Sequence, residues 1–307
     1  MALSPEIRKK LQELNRNMQM LQQRNSAAAP VNGGPRIGET PAPAGQCVPA
    51  ARQNPLAAPP KAAGPVKLEE AAPGEALTSP FGKAWLIRKD LSCIMPDGRK
   101  FVQDYANVFG GAMAWREGSL HRELRPLLSI DPQRVLFLDI ETTGLTAMPV
   151  FLIGVMQFGG HDFHLHQFFA RDYSEERAMI AAVAERLPHF EALVTFNGKS
   201  FDVPYIRDRG LANGLHLEYA GLHLDLLHEA RRRWRGRLPD CRLQTLERHL
   251  CNRVRIGDIP GELIPQAYHD FVRSGDAYQM SDVIHHNALD LIAMSEILLH
   301  MIKESPE

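Results

Sequence analysis

From residue 135 onward, short apolar runs and stretches of helical period take turns along the chain. VLFLDI at 135–140 reads as a buried strand, FLIGVMQF at 151–158 as a second and HDFHLHQFF at 161–169 as a third. Apolar runs of this length, bounded by turn residues, suit strands. SEERAMIAAVAERL changes to a period near 3.6, so a helix is expected to Leu187. Its start has a capping-box pattern at Ser174, with Arg177 where Glu is usual and acids at Glu175 and Glu176. ALVTF at 192–196 is a short strand, NGKS a turn, and a helix follows from Phe201; HLDLLHEARRRW, LQTLERHL, GELIPQAYHDFVRSG and 278–301 read as predominantly helical. Three strands, a helix, a strand and a helical remainder predict a mixed α/β domain over 132–307, its central sheet flanked by helices.

Upstream the pattern weakens. Over 77–131 the alternation in AWLIRKDL, the PDGRKF turn and the aromatics Phe101, Tyr105, Phe109 and Trp115 predict a small ordered region of strand or hairpin character packed on the main domain. Within 1–76, Ile7, Leu11, Leu14, Met18 and Leu21 recur at helical spacing, and the Ala-, Pro- and Gly-rich stretch to about Gly74 has the composition of a flexible linker. The stripe reads as a solvated tail or as a docking or dimerising segment for a protein partner.

Composition narrows the classes. The 35 basic and 36 acidic side chains leave a net charge of -1, so any polyanion must be held by a local basic surface. The four cysteines Cys47, Cys93, Cys241 and Cys251 form no CxxC pair, which argues against a disulfide framework or zinc ribbon. No signal-like segment opens the chain, and no apolar stretch approaches the ~20 residues of a spanning helix. A cytoplasmic protein without membrane contact is expected.

Four acids carry the chemistry. Asp139 and Glu141 stand two apart at the end of an apolar strand, so both point to one side of the sheet. Two buried carboxylates on one face ask for a cation, and oxygen-only ligands suit Mg²⁺ or Mn²⁺; the plainer reading is a solvated strand end paired with Arg or Lys. Asp202 follows the next short strand through NGKS and opens a helix, a common place for functional groups in α/β folds. Asp290 interrupts the core-facing stripe of HHNALDLIAMSEIL. His286 lies about 40° from Asp290 around a helix and His285 about 140°. Asn197 could orient a carboxylate, touch substrate or form the turn, and Lys199 could meet a phosphate or stand exposed.

DIETTGL, NGKSFDVPYI and HHNALDLIAM resemble the three exonuclease motifs of the DEDD superfamily. HLDLLHEARRRW, CRLQTLERHL and DIPGELIP are similar to the bacterial YprB-type ribonuclease H-like family, so the resemblance spans residues 135–301 and not the N-terminal portion. It implies a ribonuclease H-like fold in which Asp139, Glu141, Asp202 and Asp290 hold two Mg²⁺ or Mn²⁺ ions and a histidine is the general base. One branch of the superfamily places a His five residues before the last acid, matching His285; the other places a Tyr four before it, matching His286. Helix geometry favours His286. The implied activity is stepwise 3′ to 5′ hydrolysis of phosphodiester bonds.

The nucleic acid, DNA or RNA and single-stranded by preference, would meet EARRRWRGR, where Arg231, Arg232, Arg233, Arg235 and Arg237 surround Trp234. Guanidinium groups bind phosphate and an aromatic ring stacks a base; the same pattern also fits a solvated helix end with Trp234 in the core. Arg207 and Arg209 carry a weaker version of this signal. His164 and His166 lack a third metal ligand, Cys241, His249 and Cys251 lack zinc spacing, and Asp225 reads as a helix cap or a support for the site. Two rival functions remain: a nucleic-acid-binding protein that keeps the fold without turnover, and a haloacid-type phosphatase suggested by Asp139 with Thr142 and Thr143, which would need a second Asp at Glu141.

Overall fold

A computed structural model describes residues 64–109, 122–144 and 146–303. The N-terminal stripe from Ile7 to Leu21, the first 63 residues as a whole and Trp115 lie outside the described residues. The elements in chain order are a hairpin of β1 (Glu75–Ser79) and β2 (Gly82–Asp90), helix α1 (Arg99–Phe109), strands β3 (Val135–Thr142), β4 (Val150–Phe158) and β5 (Phe163–Phe169), then α2 (Glu176–Arg186), β6 (Ala192–Thr195), α3 (Asp202–Ala212), β7 (Leu222–Asp225), α4 (Leu226–Trp234), α5 (Leu243–Leu250), α6 (Ile264–Ser274) and α7 (Met280–Lys303). Among the described residues the strands form one sheet in the order β1-β2-β5-β4-β3-β6-β7. β6 lies parallel to β3 and β7 parallel to β6, while the other neighbours are antiparallel. This is the mixed α/β architecture that the apolar runs predict.

Alternation along β3 sorts the two cores. Leu136, Leu138 and Ile140 enter the layer with Met179, Ile180 and Tyr268 of α2 and α6. Val135 and Phe137 enter the opposite layer with Tyr105 and Val108 of α1 and with Ala288, Leu291 and Ile292 of α7. Asp139 and Glu141 share the parity of Val135 and Phe137, so both face the α7 side.

Four local expectations change. The hairpin does not merely pack on the main domain: β2 pairs with β5 and extends its sheet. Phe101, Tyr105 and Phe109, expected in strand or hairpin, lie on α1, where their spacing of four brings them onto one buried face. His223–Asp225, read as the start of a helix, belongs to β7, and the helix begins one residue later. Ser174 does not cap α2; it sits in a 3-10 turn whose own cap is Asp172, which accepts from Ser174 N at 2.8 Å.

Candidate active site

Because β3 and β6 run parallel in register, with Phe137 opposite Val194, their C-terminal ends meet at one edge of the domain. β3 delivers Asp139 and Glu141 there, and β6 delivers the NGKS turn that leads into α3 and Asp202. Asn197 adopts φ 67°, a left-handed conformation that Asn tolerates better than most residues. The turn is tied down by Asp225, fully buried at the end of β7. Its carboxylate accepts from Asn197 N at 2.8 Å, Lys199 N at 3.0 Å and Leu227 N at 3.0 Å. Asp225 therefore caps α4 and supports the Asp202 turn together. Asp202 in turn accepts from its own amide and from that of Ile140, which fastens it to β3.

α7 brings the last acid. The helix begins at Met280, so His286 and Asp290 share a face, and His286 Nε2 lies 3.6 Å from Asp290 Oδ2. His285 sits one position earlier, about 100° further round the helix.

Electrostatics show that these side chains share one space. Burial, then the charges of Asp290, Glu141 and Asp202, push the Asp139 carboxyl well above the usual carboxylate range. Burial also pushes Glu141 up to about 8; Asp290 and Asp202 add to the rise, and His286 opposes it. Asp202 is pushed up to about 7, chiefly by burial, against the two backbone amides that favour its charge. Three acids that resist ionisation beside a fourth form a cluster short of positive charge. Burial disfavours the His286 imidazolium, yet its bond to Asp258 and the charges of Asp290 and Glu141 outweigh burial and raise it to about 9.

Several members of this cluster escape the sequence reading. Asp258 Oδ1 lies 2.9 Å from His286 Nδ1, which turns Nε2 toward Asp290. Arg255, its side chain 5% exposed, reaches Asp290 Oδ1 at 2.7 Å, Asp258 Oδ2 at 3.2 Å and Glu247 Oε2 at 2.6 Å. Asn287 Nδ2 donates to Asp139 Oδ2 at 2.8 Å and is fully buried. Arg255 and Asp258 occupy an aperiodic segment between α5 and α6, where no pattern marks an inward side chain. Only Gly154, a glycine inside a buried strand, signals that another group approaches the sheet closely.

Among the residues expected to touch substrate, Arg231 and Asn197 line a groove of about 450 Å³ together with Phe196, Arg242, Asp139 and Asp290. Lys199 is exposed on the adjoining turn. Trp234 is not available for stacking, because it is buried in the core beneath α4. Arg232 pairs with Glu229 at 2.6 Å and Arg233 with the same acid at 2.7 Å, so they neutralise a buried carboxylate. Arg209 does likewise for Glu176 at 2.5 Å, whereas Arg207 pairs with exposed Asp208 at 3.2 Å. His164 is taken up by Asp90 at 2.6 Å.

The donor set of Asp139, Glu141, Asp202 and Asp290 is all oxygen, and its shortage of positive charge fits hard divalent cations. Among the described residues, however, no three His, Cys, Asp or Glu side chains stand in an arrangement that could hold a metal ion as it is. Asp290 is instead paired with Arg255 and Asp139 with Asn287.

A mixed sheet with acids near the end of its central strand, at the start of the helix that follows the neighbouring parallel strand, and on the helix covering them fits the ribonuclease H-like class. The chain belongs to the RNase_H superfamily, whose family model matches residues 136–302. It is 28% identical over 237 residues to the uncharacterized protein YprB of Bacillus subtilis (strain 168), covering 73% of this chain and 56% of that protein. The chain thus spans little more than half the length of that relative. Among solved structures, the family B DNA polymerase from the hyperthermophilic archaeon Pyrobaculum calidifontis matches 54% of this chain and 24% of its own, with 18% identity and a TM-score of 0.43. No helix among the described residues is long and apolar enough to cross a membrane.

Proposed function

We propose that the chain is a Mg²⁺- or Mn²⁺-dependent 3′–5′ exonuclease that hydrolyses phosphodiester bonds of single-stranded nucleic acid. The observation that carries this reading is the set of acids on β3, α3 and α7, three of which resist ionisation because of burial and one another's charge. Asp139, Glu141, Asp202 and Asp290 would hold two ions, which when bound supply charge stabilisation at phosphorus and an activated water. His286 is the base in this reading. Asp258 on Nδ1 leaves Nε2 to accept a proton, and with the charges of Asp290 and Glu141 shared with bound cations, less would hold the imidazole in its protonated form. Arg231 and Arg242 in the groove would meet phosphates, with Lys199 at its edge and Phe196 offering an apolar surface to a base.

The Arg255–Asp290 pair favours a second reading, a nucleic-acid-binding protein that keeps the fold without turnover. Oligonucleotides of DNA and of RNA, labelled at the 3′ or the 5′ end, separate the two in the presence of Mn²⁺. Stepwise release of mononucleotides from the 3′ end is expected. Asp139→Ala should reduce it by more than the ~10–100-fold typical of losing an outer partner of a metal site. Binding of either polymer without metal-dependent products selects the second reading.

A further inference from the structure

Asp139, Gly154 and Gln167 stand side by side across β3, β4 and β5 in one register row, on the face that α7 covers. Asn287 of α7 lies over the middle of that row. A Cβ on Gly154 would run into the Asn287 amide, so glycine is what lets the helix side chain settle on the sheet.

The hydrogen bonds in this row have one direction. The Ile284 carbonyl can only accept, so the Gln167 group facing it at 2.7 Å is its NH₂. The same NH₂ donates to Asn287 Oδ1 at 2.8 Å, which leaves the Asn287 NH₂ turned toward Asp139 Oδ2, again at 2.8 Å. A backbone carbonyl thereby sets one amide, that amide sets the next, and the second sets a carboxylate. Gln167 is 1% exposed and Asn287 0%. Burying two amides among apolar neighbours is costly unless their partners are fixed, and apolar side chains would fill the same volume more cheaply.

We infer that Gln167 and Asn287 are positioning residues for Asp139. They hold Oδ2 against the helix so that Oδ1 faces the space shared with Glu141, Asp202 and Asp290, where a divalent cation binds. The inference rests on the metal site of the proposed function, and it asks of these neutral amides that they raise cation affinity without touching the cation.

The test is calorimetric titration of the full chain with Mn²⁺, in the parent, in Asn287→Leu and in Gln167→Met, with near-ultraviolet circular dichroism to show that each variant is folded. Asn287→Leu should weaken Mn²⁺ binding by about 10–100-fold, the range for outer-shell partners, and Gln167→Met less. In an Asp139→Ala background Asn287→Leu should have little further effect, because the relay acts through that carboxylate. A folded Asn287→Leu that binds Mn²⁺ as tightly as the parent overturns the inference, as does an equal loss in both backgrounds. If Asn287→Leu does not fold, Gln167→Met decides: unchanged Mn²⁺ affinity overturns the relay. A parent that takes up no Mn²⁺ overturns the relay and the metal site together. A parent that binds Mn²⁺ through the relay yet cuts no oligonucleotide removes the nuclease reading alone.

Discussion

The two ends of the acid cluster are held in opposite ways. Asp139, on the sheet side, is gripped by the neutral amide of Asn287, which Gln167 in turn holds in place. Asp290, on the helix side, is gripped by charge: Arg255 at 2.7 Å, with His286 and Asp258 in the same network. A neutral donor orients a carboxylate and leaves its charge for a cation. A guanidinium orients and neutralises together, so it competes with any cation for the same acid. Under the proposed function, the site would pair one acid whose charge a metal could take up directly with one that would have to exchange its partner.

Removing Arg255 is the largest perturbation of this contrast. Arg255→Ala strips Glu247, Asp258 and Asp290 of a buried counter-charge. Breaking a buried ion network from one side costs about 3–5 kcal/mol, and chemical denaturation in a chelator should show a loss of that order. Mn²⁺ should return part of it, because an ion can take over at Asp290 but not at Glu247. A loss below about 1 kcal/mol, in the range of surface pairs, would mean that charge does not hold the helix side.

On the neutral side, Gly154→Ala should cost about 1–3 kcal/mol through overpacking against Asn287. Here added Mn²⁺ should stabilise the variant less than it does the parent, since Asp139 is displaced. Denaturation with and without Mn²⁺ reads both quantities, and recovery equal to that of Arg255→Ala would erase the distinction between the two ends.

The mildest perturbation is pH. Glu141 and Asp202 keep their protons in the fold to about 8 and about 7, whereas the unfolded chain releases them near 4.5 and 3.8. Their contribution is complete below those ordinary values and is lost as pH rises through the folded ones. His286, raised from 6.5 to about 9, acts in the same direction: its contribution is present below 6.5 and is lost through 9. The melting temperature in a chelator should fall between about pH 5 and about pH 9, and Mn²⁺ should recover more at the alkaline end, where it displaces fewer protons. A flat profile would show that the acids do not share one space.

Much of the frame is legible along the chain. The apolar runs place β3, β4 and β6 within a residue or two, and the spacing of Asp139 and Glu141 alone puts both on one face. Helix spacing alone favours His286 over His285 as the neighbour of Asp290, and α7, which starts at Met280, puts the two on one face. Trp234 and Arg209 go the other way. A basic run around a tryptophan has the same appearance whether it meets nucleic acid or closes over a buried acid, and only burial separates the cases. Asp258 was out of reach because its partner His286 lies 28 residues away and no periodicity connects them.

What the chain determines by itself is local: which segments are strands and helices, which face each side chain takes, and that three segments each carry a carboxylate out of keeping with their apolar surroundings. Tertiary structure alone decided that these carboxylates come near enough to feel one another's charge, that Arg255 and Asn287 divide two of them between charge and neutral hydrogen bonding, and that Gly154 makes room for the Asn287 amide. The reason is physical. Periodicity reports the environment of one element, whereas counter-charges and hydrogen-bond partners are set by the apposition of elements far apart in sequence, where burial makes every unpaired polar group costly.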